Sequence, residues 1–353
     1  MPVQTKRVHV GNVAIGGGAP VSVQSMTNTK TSDVASTVQQ IKQLEEAGCD
    51  IVRLAVPDFA SVKAFEKIKT LVSAPLVADI HFNYKLALAS VDAGADKIRI
   101  NPGNIGSIEK IEKVVAKTVA HHVPIRVGVN SGSIEKDILK EEGGATVSAL
   151  VKSALKNIKI CEDLGAKDLV LSLKSSDVLK TIAAYEKVAT LTDYPLHIGV
   201  TEAGTARAGT IKSSVALGIL LHKGIGDTLR VSLTGDPVQE IYVGKQILKS
   251  LNLIEQGLSI ISCPTCGRTK IDLESIVNKV EHRLSHLQKP LTVAIMGCEV
   301  NGPGEAREAD IGIACGRKSA VLFRKGKIVR KISEENIVGE LVDEILRWDD
   351  AAP

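Results

Sequence analysis

Aromatic residues are scarce in this 353-residue chain, where Phe, Trp and Tyr together make up 3% and Trp occurs once. Proteins that hold single-stranded nucleic acid stack bases on such side chains, so that class is disfavoured. A strong charge of either sign is also missing: 44 Lys and Arg stand against 40 Asp and Glu, a net +4. That excess gives no general attraction for nucleic acid or an anionic membrane surface, so any basic site must be local. No apolar run approaches the roughly 18 residues of a membrane span. The amino-terminal stretch Met1 to Arg7 lacks the apolar segment of a secretory signal, and a cytoplasmic location is expected. Six cysteines are too few for a disulfide scaffold in a chain of this length. Cys49 and Cys161 are scattered and read as structural, whereas Cys263, Cys266, Cys298 and Cys315 crowd near the end.

What is present is ample apolar material, 44% of residues, and a repeating unit. Short apolar runs bounded by turn signals fall at 21–25, 51–56, 76–80, 97–100, 125–129, 168–173, 196–200 and 229–232, with helix-like segments between them. Ser32-Asp33 reads as the N-cap of a helix over 34–47, and Gly48 ends it; Gly94 and Gly165 end two others. Eight alternating units predict a closed (β/α)8 TIM barrel over residues 1–250, followed by a separate small α+β domain over 258–353.

Strands of a parallel barrel are buried on both faces, so charged residues inside them need a reason. Arg53 interrupts the second run, Asp79 and His81 end the third, and Arg99 with Asn101 ends the fourth. Arg126 and Asn130 lie in the fifth, Lys174 follows the sixth, His197 and Glu202 bracket the seventh, and Arg230 with Ser232 closes the eighth. Strand side chains alternate, so Asp79 with His81, Arg99 with Asn101, Arg126 with Asn130 and Arg230 with Ser232 share faces and can point into one mouth. Catalytic residues of such barrels gather at the carboxyl ends of the strands. Four arginines and a lysine converging there imply an anionic ligand, and guanidinium forks match phosphate oxygens in pairs, so a diphosphate is the natural candidate. Lys85 and Lys110 read as solvated helix charges, and His81 and His197 fit either ligand contact or a satisfied core position.

After a linker at 251–257, a short strand leads to Cys263-Pro264-Thr265-Cys266-Gly267, a helix over 272–287 and a strand over 291–296. Then come Gly297-Cys298-Glu299-Val300-Asn301-Gly302-Pro303-Gly304-Glu305, strands near 310–314, 319–323 and 327–331, and a closing helix over 334–348. A C-x-x-C turn with a third cysteine on a glycine-flanked loop can hold a zinc ion or an iron-sulfur cluster. The fourth ligand is Cys315 on the zinc reading and Glu305 on the other. A carboxylate is the more exchangeable ligand for iron and would leave one metal atom open to a substrate oxygen. A non-redox barrel transferase acting on a diphosphate, with a structural zinc module, is the alternative reading of the whole chain.

Together, Cys263 to Arg268 and Gly297 to Ala306, with the barrel segments Val77-Ala78-Asp79-Ile80-His81-Phe82, Ile98 to Asn104 and Gly199 to Gly204, resemble the 4-hydroxy-3-methylbut-2-enyl diphosphate synthase family in its shorter two-domain form. The resemblance runs from about Arg7 to the final helix. It implies reductive ring opening of 2-C-methyl-D-erythritol 2,4-cyclodiphosphate to 4-hydroxy-3-methylbut-2-enyl diphosphate in the non-mevalonate isoprenoid pathway. Electrons would enter from flavodoxin or ferredoxin through a [4Fe-4S] cluster. By the same resemblance Cys263, Cys266 and Cys298 hold three irons and Glu305 the fourth. Arg53, Arg99, Arg126, Lys174 and Arg230 clamp the diphosphate, assisted by Asn101, Asn130 and Ser232. Asp79, His81, Glu202 and Asn301 contact the carbon chain or serve proton transfer. The short linker leaves the tail little freedom to fold over its own barrel, and the resemblance implies that the cluster domain covers the barrel of a partner chain, so a head-to-tail homodimer with composite active sites is expected.

Overall fold

The computed structural model describes residues 4–255, 257–284, 287, 289–298 and 309–348. The chain divides into two compact units between Ile254 and Glu255.

In the first unit a hairpin, β1 (Val8–Val10) and β2 (Val13–Ile15), precedes eight parallel strands. These are β3 (Ser22–Met26), β4 (Ile51–Ala55), β5 (Leu76–Asp79), β6 (Lys97–Ile100), β7 (Ile125–Asn130), β8 (Leu169–Lys174), β9 (His197–Ile198) and β10 (Thr228–Leu229). Their order is β8-β7-β6-β5-β4-β3-β10-β9. A parallel bridge between Leu171 and Leu196 closes the ring, with the Leu171 N–H donating to the Pro195 carbonyl at 2.9 Å. The eight-unit barrel is therefore present, with β9 and β10 shorter than the runs at 196–200 and 229–232 suggested.

Helices cap their ends as the sequence demands. Asp33 accepts from the Ser36 N–H ahead of the helix Val34–Glu46, and Asp58, Asn83, Thr146, Asp177, Thr205 and Asp236 open later helices the same way. The helices pack on one face of the strands: Val52 and Leu54, Ile98 and Ile100, Ile125 and Val127, and Leu169 and Leu171 all join the outer core. By alternation the residues between them face the lumen. Ile51 and Val77 do so at the amino-terminal end, where they pack with Val10 and Ile15 of the hairpin. The hairpin is thus an apolar plug under the barrel.

The second unit is a five-stranded sheet, β11 (Leu258–Ser262), β12 (Leu291–Met296), β13 (Ile311–Cys315), β14 (Ser319–Arg324) and β15 (Lys327–Ser333), hydrogen-bonded in sequence order. β11, β12 and β13 run parallel, and β14 and β15 return antiparallel. The helices Leu273–Arg283 and Ile337–Leu346 bury Ile276, Val280, Leu341 and Ile345 with Val293, Ile295, Ile311 and Ile313 of the sheet. Parallel order brings the ends of β11 and β12 to one sheet edge, which is where Cys263 and Cys298 follow.

Candidate active site

The barrel lumen is cationic. Register places Arg99 beside Arg126, Asn130 beside Lys174, and Asp79 beside Arg99. Arg126 and Lys174 are buried, as is Arg99. Asp79 ties three of the predicted residues together: its carboxylate lies 3.2 Å from Arg99 Nη1, 3.3 Å from His81 Nε2 and 3.9 Å from Arg53 Nε. Burial alone would raise the Asp79 pKa, but Arg53, the His81 hydrogen bond and Arg99 outweigh it and hold the carboxyl below its ordinary value. Burial pushes the Arg53 guanidinium down to about 10, against the pull of Asp79. Arg126 and Lys174, buried among other cations, are both held well below their ordinary values.

Several groups that hold these side chains carry no motif. Glu240, on the helix Pro237–Ser250, grips Arg230 through two bonds, Nε to Oε2 at 3.1 Å and Nη2 to Oε1 at 3.2 Å. The same carboxylate accepts from Ser25 Oγ and the Leu233 N–H. Met26 Sδ accepts from Arg53 Nε at 3.0 Å and Nη2 at 2.9 Å. Two glycines make room. A Cβ on Gly128 would lie 2.6 Å from Arg99 Nε, and one on Gly199 would lie 2.5 Å from the Arg230 carbonyl oxygen and 2.8 Å from Lys174 Nζ. The sequence reading gave none of the four a role; Gly128 was signalled only by its position inside a strand run, and Gly199 by that and by opening the Gly199 to Gly204 segment of the resemblance.

The remaining predicted residues are less concentrated. Asn101 is buried, but its amide is occupied: Nδ2 donates to Ser133 Oγ at 3.1 Å, and Oδ1 accepts from the Gly103 N–H, capping a short helix. Asn130 is half-buried at the end of β7, and Ser232 is half-buried just past β10. Glu202 is exposed after β9 at φ 52, a left-handed conformation that non-glycine residues adopt at a cost of about 1 kcal/mol or more. His197 faces inward from β9 and is fully buried; burial, then Arg126 and Lys174, hold it well below its ordinary pKa.

In the second unit the two cysteine loops are stitched together. The Gly297 N–H donates to Cys263 Sγ at 3.2 Å, and the Lys270 N–H donates to the Gly297 carbonyl at 3.2 Å, so Cys298 follows directly on a residue that touches the C-x-x-C turn. Cys266 is exposed, and the Arg268 N–H with the Arg268 charge lowers its pKa, favouring the thiolate a metal needs. Cys315 differs: it is fully buried in β13, and burial pushes its thiol up to about 12. That environment suits a core thiol. Among the described residues no three His, Cys, Asp or Glu side chains converge on one metal-ion position. A four-iron cluster makes no such demand, since its thiolates bind different irons. Asn301 and Glu305 lie outside the described residues.

Comparison with known proteins decides the family. The model described as the GcpE TIM-barrel domain matches residues 5–245, and the GcpE protein C-terminal domain matches 259–347. The chain belongs to the GcpE family. A Caldanaerobacter subterraneus subsp. tengcongensis protein named 4-hydroxy-3-methylbut-2-en-1-yl diphosphate synthase (flavodoxin) is 57% identical over 97% of this chain and 96% of its own length. A Geobacter sulfurreducens protein of the same name is 56% identical over 98% of each. Among solved structures, a dihydropteroate synthase from Xanthomonas albilineans matches with a TM-score of 0.52 and 15% identity, over 70% of this chain and 99% of that one. A type I 3-dehydroquinate dehydratase from Clostridium difficile matches with a TM-score of 0.52 and 16% identity, over 70% and 98%. At that identity the likeness speaks for the barrel fold alone.

Proposed function

We propose that this GcpE-family enzyme opens 2-C-methyl-D-erythritol 2,4-cyclodiphosphate reductively to 4-hydroxy-3-methylbut-2-enyl diphosphate. In that step two carbon–oxygen bonds break, the ring C2–O bond to phosphate and the C3–OH bond, a C2=C3 double bond forms, two electrons and two protons enter, and one water leaves. The observation that carries the reading is the charge imbalance of the lumen. Among the described residues the five basic side chains Arg53, Arg99, Arg126, Lys174 and Arg230 have only Asp79 and Glu240 bonded to them as carboxylates, and uncompensated buried charge is expensive. A diphosphate dianion in the mouth supplies the missing negative charge, held by guanidinium forks.

Cys263, Cys266 and Cys298, with Glu305, would hold a [4Fe-4S] cluster, which supplies electrons one at a time and a Lewis-acidic iron for the departing oxygen. The chain's own residues do the rest. The cations orient the diphosphate and exclude water. His81, bonded to Asp79 at an exposed position, and Glu202, on its left-handed loop, are the groups at the mouth suited to carry a proton. The named relatives point to a flavodoxin as electron donor. We assign the enzyme to the cytoplasm, and no described helix is long and apolar enough to cross a membrane. We also propose a head-to-tail homodimer in which one protomer's tail serves its partner's barrel.

Metal analysis of anaerobically purified protein tests the cluster. The expected result is a brown protein with about four irons per chain, and Glu305→Ala is expected to keep its iron while losing most turnover. A colourless protein with one zinc, or full activity in that variant, contradicts the assignment.

A further inference from the structure

Beneath the five-cation ring lies a second polar layer. In most such barrels the interior is filled by branched apolar side chains. Here Gln24, Lys97, His197 and Thr228 are fully buried, and among the described residues Lys97 Nζ, both His197 ring nitrogens, both Gln24 amide atoms and Thr228 Oγ1 have no hydrogen-bond partner. Each stands two residues before a lumen position of the upper layer on its own strand, Lys97 before Arg99, Thr228 before Arg230, His197 before Gly199 and Gln24 before Met26, so by alternation they face the lumen one layer lower.

The groups that act on Lys97 are cations. Arg126 of the neighbouring β7 and Arg53 of β4 press on it electrostatically, and Lys97 in turn presses on His197 of β9. The carboxylate of the adjacent β5, Asp79, is already engaged by Arg99, His81 and Arg53. Burial and these two guanidinium neighbours hold the Lys97 amine well below its ordinary pKa, and among the described residues no oxygen bonds its Nζ.

A dianion bound in that ring reverses the local field. Its negative charge offsets Arg53 and Arg126, the two groups that oppose a proton on Lys97. We propose that Lys97 is a proton acceptor under the anion site: neutral in the ligand-free enzyme and charged when a diphosphate is bound, so that substrate binding draws a proton from solvent into the barrel. Lys97 is assigned over the His197 imidazole because an amine is intrinsically more basic, and over Lys174, whose amine is also held low, because Lys97 is the fully buried one and its Nζ has no partner among the described residues. The proposal rests on the diphosphate reading above and adds a residue and a linkage that reading does not contain.

The sign follows from linkage. A group more basic in the complex than in the free enzyme makes affinity fall as pH rises through its bound-state pKa, by up to about tenfold per pH unit for one proton. The cyclodiphosphate is a suitable probe, since each phosphorus carries one strongly acidic oxygen and the ligand does not itself titrate near neutrality.

Titration calorimetry of the cluster-loaded, oxidised enzyme with 2-C-methyl-D-erythritol 2,4-cyclodiphosphate, without reductant, in buffers of different ionisation enthalpy, counts the protons. The expected result is uptake of roughly one proton per bound ligand at pH 8, lost in Lys97→Met while binding persists. The same variant is expected to have a higher Tm without ligand, because it removes an unpartnered buried amine. Binding with no buffer dependence in the wild type overturns the inference and leaves the substrate reading standing. Uptake that persists in Lys97→Met also overturns it. Absence of any binding heat overturns the substrate reading itself. Absence of uptake in the wild type overturns the inference even if Lys97→Met does not fold, and Lys97→Gln then serves as the second variant for the assignment.

Discussion

Asp79 is the residue on which the free site depends. Among the described residues its carboxylate is the only one within ion-pair distance of Arg53 and Arg99, and it also fixes His81. Because its folded pKa is depressed, the stability it contributes is fully present above the ordinary carboxylate range and is lost only in strong acid. Asp79→Asn leaves two guanidinium groups uncompensated, and urea unfolding of the ligand-free protein is expected to show a loss of about 3–5 kcal/mol. Saturating cyclodiphosphate should restore part of it, and a loss below about 1 kcal/mol would show that the ion cluster is loosely held. Arg53, Arg99, Arg126, Lys174 and Arg230 were legible in the sequence because charge inside a buried parallel strand is anomalous. Lys97 was not, because attention to the carboxyl ends of the strands passes over a charge at the first position of β6. Glu240 was hidden for another reason, lying on a helix ten residues after the arginine it grips.

At the scale of elements, the strands β8, β9 and β10 form a tight corner around Lys174. Gly199, just past β9, passes so close to the Arg230 carbonyl and Lys174 Nζ that no side chain fits between them. Gly199→Ala is expected to cost about 1–3 kcal/mol of stability. Displacement of Lys174 should also weaken cyclodiphosphate binding at least tenfold, read by calorimetry. Wild-type affinity in this variant would remove Lys174 from the clamp. The barrel elements were readable from hydrophobic runs and caps, since six of the eight strands are long enough to show a pattern. β9 and β10 shrink to two residues each, and the hairpin strands β1 and β2 have three each, too few for periodicity to register. The hairpin's role as a plug depends on its meeting Ile51 and Val77, a contact no local pattern announces.

For the whole molecule, the division between Ile254 and Glu255 separates the cation-lined barrel from the cysteine-bearing sheet. If protomers pair head to tail, two inactive variants should complement each other. Mixing Arg99→Ala with Cys298→Ala after subunit exchange is expected to recover up to about a quarter of wild-type activity, since half the dimers are hybrids with one intact composite site. No recovery, with exchange confirmed by native mass spectrometry, would place each active site within one chain. The two-unit organisation was legible from the change of pattern after residue 250. The electron-transfer chemistry was legible only through the resemblance, because cysteine spacing alone fits zinc as well as iron.

Phosphorus NMR of the anaerobic reaction tests the central claim most directly. With cluster-loaded enzyme, reduced flavodoxin and 2-C-methyl-D-erythritol 2,4-cyclodiphosphate, the ring resonances should give way to those of a linear diphosphate, and only when reductant is present. An unchanged cyclodiphosphate, or ring opening that proceeds equally well without reductant, would contradict the account.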